Sequence, residues 1–171
     1  MALERLFRQS VRIDLAYPEA FANANQPLAS ELNNALLVKN ITCALDEDAT
    51  EFTLNDPDTD DSLSFCDAAG SQTATFKNPS VVITAFRDAD RAATGVYDLA
   101  FRHLAFKDVP YVAILRVGLP ETTAYAAGQY IRMVGVSTDL PVSLEESGEN
   151  ARIQNTMLSN GFVNWNYRIQ A

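Results

Sequence analysis

The sequence predicts a mainly β fold, an antiparallel β-sandwich or barrel with one flanking α-helix. Three observations carry that expectation. Most apolar runs beyond residue 38 alternate at period two, a single segment carries a helical stripe, and the strand–helix–strand rhythm of a parallel sheet is missing. The chain has 171 residues, 47% apolar and 20% charged, which suits one globular domain able to bury about 70% of its unfolded surface. Within it, residues 1–37 read as an N-terminal arm or irregular segment, and residues 38–171 as the β domain.

In the arm, Val11, Ile13 and Leu15 alternate with Arg12 and Asp14 like a strand. Pro18 and Pro27 bracket an Ala/Asn-rich stretch that reads as irregular, and Ser30 is placed to cap a short helix reaching Leu37. Ile41, Cys43 and Leu45 then alternate as a strand. Phe52 and Leu54 alternate as a second one facing inward. An Asp-Pro-Asp-Thr-Asp-Asp turn over residues 56–61 separates that strand from another at residues 62–65. Residues 81–86, Val-Val-Ile-Thr-Ala-Phe, are uncharged and rich in β-branched side chains, the composition of a strand covered on both faces.

The helix is expected after Thr94 as N-cap, with Asp98 in the first turns and Val96, Leu99, Ala100 and His103 on one stripe. Tyr97, Leu99, Phe101 and His103 also alternate, so a strand is the competing assignment. Residues 111–117 and 129–138 read as a long hairpin bounded by Gly118 and Gly128. A short helix is expected over residues 150–158, ending at Gly161. The last strand, residues 162–169, would send Val163, Trp165, Tyr167 and Ile169 one way and Asn164, Asn166 and Arg168 the other.

Charge is distributed unevenly. Nine acids and no base occupy residues 46–67, while the remaining 13 acids balance 13 bases, so the whole net charge of −9 sits in that stretch. An acidic chain whose bases are scattered singly is a poor candidate for wrapping nucleic acid. Charges at Glu4, Arg5 and Arg8 disfavour a signal peptide, and no run approaches the ~18 apolar residues of a membrane span. The expected setting is cytosol-like, with Cys43 and Cys66 as buried free thiols rather than a metal pair.

Chemistry is sparse. His103 is the sole histidine and lies on an apolar stripe, where a structural role outweighs a catalytic one. No phosphate loop, dinucleotide fingerprint or helical His-Glu metal motif is present. Asp56, Asp58 and Asp60 match the early positions of a calcium loop, but Asp61 stands where glycine is required and Asp67 where glutamate is. No cofactor, metal or enzymatic activity is expected.

Two blocks carry a resemblance. The first comprises Ser-Leu-Ser-Phe-Cys-Asp at residues 62–67, Thr75-Phe76, and Ala-Phe-Arg-Asp-Ala-Asp at residues 85–90. The second runs from Thr-Asp-Leu-Pro-Val at residues 138–142 through Glu-Asn-Ala-Arg at 149–152 to Gly-Phe-Val-Asn-Trp-Asn at 161–166. In that order they resemble the major tail tube proteins of long-tailed bacteriophages, particularly those of actinobacteria.

The resemblance implies a β-sandwich with one flanking helix, assembled with itself in stacked hexameric rings as a conduit for DNA that passes without specific binding. It also implies the tail terminator and the tail tip or tape measure as partners, no membrane, and a place in the virion tail after assembly in the host cytoplasm. On that reading Asp46, Glu47, Asp48, Glu51, Asp56, Asp58, Asp60 and Asp61 are candidates for the lumen or ring rim. They would repel phosphates there, or sit opposite Arg87, Arg91 or Arg116 of a neighbour. Arg116, Arg132, Asn164, Asn166 and Arg168 are candidates for lumen or inter-subunit contact. The strand Val81, Val82, Ile83, Thr84, Ala85 and Phe86 is a candidate edge, safe only if paired in a closed ring. The alternative functional class is a capsid decoration or adhesin-like β domain; a small hydrolase using His103 is a third.

Overall fold

The computed structural model describes residues 10–60, 73–90, 94–145 and 150–171. Among these residues eight antiparallel strands form an open sheet: β1 (Val11–Ala16), β2 (Val38–Asn40), β3 (Glu51–Asp60), β4 (Thr73–Phe86), β5 (Pro110–Val117), β6 (Tyr130–Ser137), β7 (Val142–Leu144) and β8 (Arg152–Arg168). Their order is β2-β1-β5-β6-β8-β4-β3, with β7 attached to β8. At 17 residues β8 is well beyond the usual strand length, and it joins two halves. Its first part pairs with β4 and β7, its second with β6.

Those halves close over one apolar core. Ile13, Leu15, Tyr111, Ala113, Leu115, Val134 and Val136 meet Val81, Ile83, Ala85, Ile153 and Met157 in it. Helix α2 (Val96–Leu104) adds Ala100 and Leu104, both fully buried, one helical turn apart. Each fully buried aliphatic side chain contributes roughly 1.5–3 kcal/mol. The cap residue is Gly95 rather than Thr94, and it makes no side-chain cap bond; Asp98 instead pairs with Arg102 at 2.7 Å.

Residues 10–37 differ from the arm expected of them. Strand β1 is paired on both sides, by β2 and β5. The segment that follows covers the second face of β1, β5 and β6, where Phe21, Leu32, Val38 and Tyr125 pack with Ile114, Ile131, Met133 and Ile169. A one-turn helix, α1 (Ala29–Leu32), sits within it. Ser30 is not its cap; Glu31 organises the start by accepting the backbone N–H groups of Leu28 and Ala22, each at 2.9 Å.

Four further expectations change. Residues 42–44 form a 3-10 turn rather than a strand, because the Thr42 hydroxyl takes the Ile13 N–H at 2.8 Å that a strand partner would have taken. Cys43 is exposed there, not buried. The acidic turn expected at residues 56–61 is strand through Asp60, with register shifts after Asn55 and Asp58, and Leu54 is 42% exposed. The helix expected at residues 150–158 is the start of β8. Its buried positions Ile153, Asn155 and Met157 do alternate, but the asparagine among them hides the pattern. The strand expected at residues 62–65 and Cys66 lie outside the described residues.

Along β8 the alternation expected of residues 163–169 breaks at Asn166. A register shift opposite Ile131 and Met133 gives β8 an extra residue there, and Asn166 takes a φ of 67°. Val163 and Trp165 therefore face the first core, whereas Tyr167 and Ile169 face the second.

Candidate assembly surfaces

The acidic stretch divides once its residues are placed. Asp46 is structural: its carboxylate accepts from Arg152 at 2.7 Å and its backbone N–H donates to Thr84 O at 2.9 Å, so it ties the loop to β8 and β4. Glu47 and Asp48 are exposed in that loop, and Glu51 and Asp56 are exposed on β3. Asp58 and Asp60 continue the same strand, while Asp61 and Asp67 lie outside the described residues. Since β3 ends the sheet order, the acids follow an edge strand. Charged side chains and Pro57 on such an edge discourage promiscuous strand pairing, a role compatible with any orientation in an assembly.

The outer part of that edge is also a ribbon. Strand β4 pairs with β8 only over Val81–Phe86, whereas it pairs with β3 from Thr73 to Val82. Residues 53–60 and 73–80 thus form a two-stranded extension with no third strand among the described residues. An isolated pair of strands is at best marginal in water.

The candidate edge Val81–Phe86 is interior to the chain. One side pairs with Met157–Arg152 of β8; on the other, Val81 and Val82 pair with β3, Ala85 bridges Leu45, and Thr84 bonds Asp46 and Thr50. Its lack of charge reflects enclosure, not self-association. The edges among the described residues are β2, β3, the three-residue β7 and one side of the second half of β8, which pairs with β6 alone.

Arg116 is not outward either; it is 1% exposed. Its guanidinium donates to Pro120 O at 2.8 Å and to Ala124 O and Gln129 Oε1, each at 3.3 Å, fastening the tip of the β5–β6 hairpin. Tyr125 in that tip lies 4.8 Å from Arg116 and 4.6 Å from Arg12, ring face to guanidinium. The Tyr125 hydroxyl donates to the fully buried Asp14 carboxylate, which also accepts from Arg12 Nε at 2.8 Å. Burial and the adjacent Asp14 charge push the Tyr125 hydroxyl well above its ordinary pKa. Burial pulls Arg116 down. This knot was signalled by two charges, Arg12 and Asp14, on one face of an otherwise apolar strand.

Arg132 stacks on Trp165 at 4.8 Å, and Trp165 leans on Phe52 at 5.8 Å, where the sheet halves open into a cleft of about 630 Å³. Arg87 covers the Phe101 ring at 4.2 Å; Arg91 lies outside the described residues. Asn164 reaches Asn25 O at 3.4 Å, so it is partly satisfied within the chain. Asn166 and Arg168 remain exposed, next to Tyr130, itself 62% exposed.

His103 borders a shallow pocket of about 490 Å³ with Tyr17, Tyr111, Lys39 and Phe106. Its Nδ1 lies 3.0 Å from the Tyr111 hydroxyl and 3.5 Å from that of Tyr17, and burial lowers its pKa. Among the described residues no carboxylate or serine partners it in a relay, and the arrangement is a polar brace between α2, β5 and Tyr17 just after β1. Among the described residues no three His, Cys, Asp or Glu side chains gather as a metal site. No helix among them is long and apolar enough to cross a membrane.

A family model described as phage tail tube protein matches residues 6–171, nearly the whole chain. No curated protein matches the sequence.

Proposed function

The chain belongs to the phage tail tube protein family, a structural component of the virion tail, and from that premise we propose that its copies close into stacked, six-membered rings enclosing a conduit for DNA. The observation that carries this reading is the family match over residues 6–171. The open sheet supports it: strand edges at β2, β3 and β7 are unpaired among the described residues, and head-to-tail contacts around a ring would cover such edges in every copy. The subunit acts by assembly, not catalysis, and its further partners are the proteins that end the tube and fill it before ejection. Assembly takes place in the host cytoplasm.

In the ring the exposed acids of residues 47–56 and their continuation along β3 become a repeated band of negative charge. We place that band at the bore or the ring rim. Phosphates approaching within the ~8 Å Debye length would be repelled, so DNA slides without adhering. Negative-stain electron microscopy of the concentrated protein tests the main reading. Uniform hollow rods or rings are expected; a chain that stays monomeric under all assembly conditions overturns it.

A further inference from the structure

We propose that Asn160 is a self-modification site: in the folded chain it cyclises onto the backbone nitrogen of Gly161, and water opens the ring to aspartate or isoaspartate. Asn160–Gly161 is the sole Asn-Gly step in the sequence; every other asparagine precedes a residue with a side chain. The step lies within β8 but outside its regular ladder. Ser159 pairs with Val136 and Val163 with Val134, so Asn160, Gly161 and Phe162 stand opposite Gly135 alone and bulge from the pair. Ser159, Asn160 and Gly161 are all exposed to water there.

Three features prepare the reaction. Phe162 N–H donates to Asn160 Oδ1 at 3.1 Å, which folds the carboxamide back over the intervening Gly161 nitrogen. The same bond points at the oxygen on which negative charge develops when that nitrogen adds to Cγ. Gly161 N–H donates to Ser159 Oγ at 3.2 Å, so the proton that must leave already has an exposed acceptor. Gly161 takes a φ of 89°, and nothing lies within 4 Å of the position a Cβ would occupy, so no side chain screens its nitrogen. Across the pair, a Cβ at Gly135 would collide with the Asn160 carboxamide; glycine there leaves room for the side chain in the bulge.

No cofactor is needed. Hydroxide takes the Gly161 proton by way of the Ser159 hydroxyl, the bond from nitrogen to Cγ forms, and Nδ2 leaves with a solvent proton as ammonia. Water then opens the imide at either carbonyl. Opening at Cγ gives aspartate with the chain unchanged. Opening at the main-chain carbonyl gives isoaspartate, which routes β8 through Cβ and Cγ and lengthens it by a methylene inside the bulge. Either product adds negative charge to the strand.

The test holds the folded chain at mildly alkaline pH and follows position 160 by peptide mapping and mass spectrometry, beside the same chain unfolded in guanidinium chloride. Conversion in the native protein should match or exceed that in the unfolded chain, rise with pH and give both products. Ser159→Ala should slow native conversion about two- to tenfold, the range one hydrogen bond is worth, and Ser159→Thr should restore it; melting establishes that each variant folds. A native rate below the unfolded one overturns the proposal, since the fold then shields Asn160 rather than preparing it, and that comparison needs no variant. A folded Ser159→Ala chain that converts as fast as wild type overturns it equally.

Discussion

Asp14 brings a full negative charge into the sheet, and its surroundings make that tolerable. Arg12 supplies a charge-assisted bond, Tyr125 a hydroxyl, and Arg116 a second cation across the Tyr125 ring. Removing the acceptor strands these groups, so Asp14→Ala should cost about 3–5 kcal/mol in denaturant unfolding. A variant within about 1 kcal/mol of wild type would show the knot to be dispensable. His103 has a pH signature. Burial, reinforced by Lys39 and Arg102, lowers its pKa below the ordinary 6.5. The unfolded chain therefore takes up the proton first, and stability is lost as pH falls from about 6.5 to the folded-state pKa. Melting of His103→Gln should lack that component over the same window; an identical pH profile would contradict the assignment. Arg116 marks a limit of sequence reading at this scale. Alternation along residues 111–117 separates two faces, but Arg116 is enclosed by the tip of its own hairpin, where Pro120, Ala124, Tyr125 and Gln129 gather round it, and alternation within one strand carries no trace of that.

Strand β4 shows why elements differ in how much of them local pattern discloses. Residues 81–86 were legible as a strand from β-branched composition alone, and α2 from its stripe. What composition did not contain was pairing: an uncharged strand looks the same whether it is an edge awaiting a neighbour or one enclosed between β3 and β8. Strand β8 was half legible. Its aromatic second part announced itself, whereas buried Asn155 broke the apolar period of the first, and the bulge at Asn166 reversed the facing of Tyr167 and Ile169 without any sequence mark beyond an asparagine that tolerates positive φ. The β3–β4 ribbon carries the dynamic consequence. In the unassembled chain, amides of residues 53–60 and 73–80 should exchange much faster than those of residues 81–86, which are bonded on both sides. Assembly should slow the ribbon's exchange if it packs on a neighbour. Equal protection in both regions before assembly would contradict this account.

For the whole molecule, the fold class was readable from periodicity, while the covering of both sheet faces was not, because it depends on which segments cross the sheet. The unequal charge has its proposed role in the assembly. Changing Asp56, Asp58, Asp60 and Asp61 together to Asn should leave tubes able to form yet slow genome ejection by removing repulsion from the path. Unchanged ejection kinetics would remove the acids from the bore. The most direct measurement is an electron cryomicroscopy reconstruction of the assembled protein. The account predicts stacked rings around an open bore, with the strand edges of β2 and β7 and the β3–β4 ribbon covered by neighbouring copies. An assembly without a bore, or one that leaves these edges facing solvent, would contradict it.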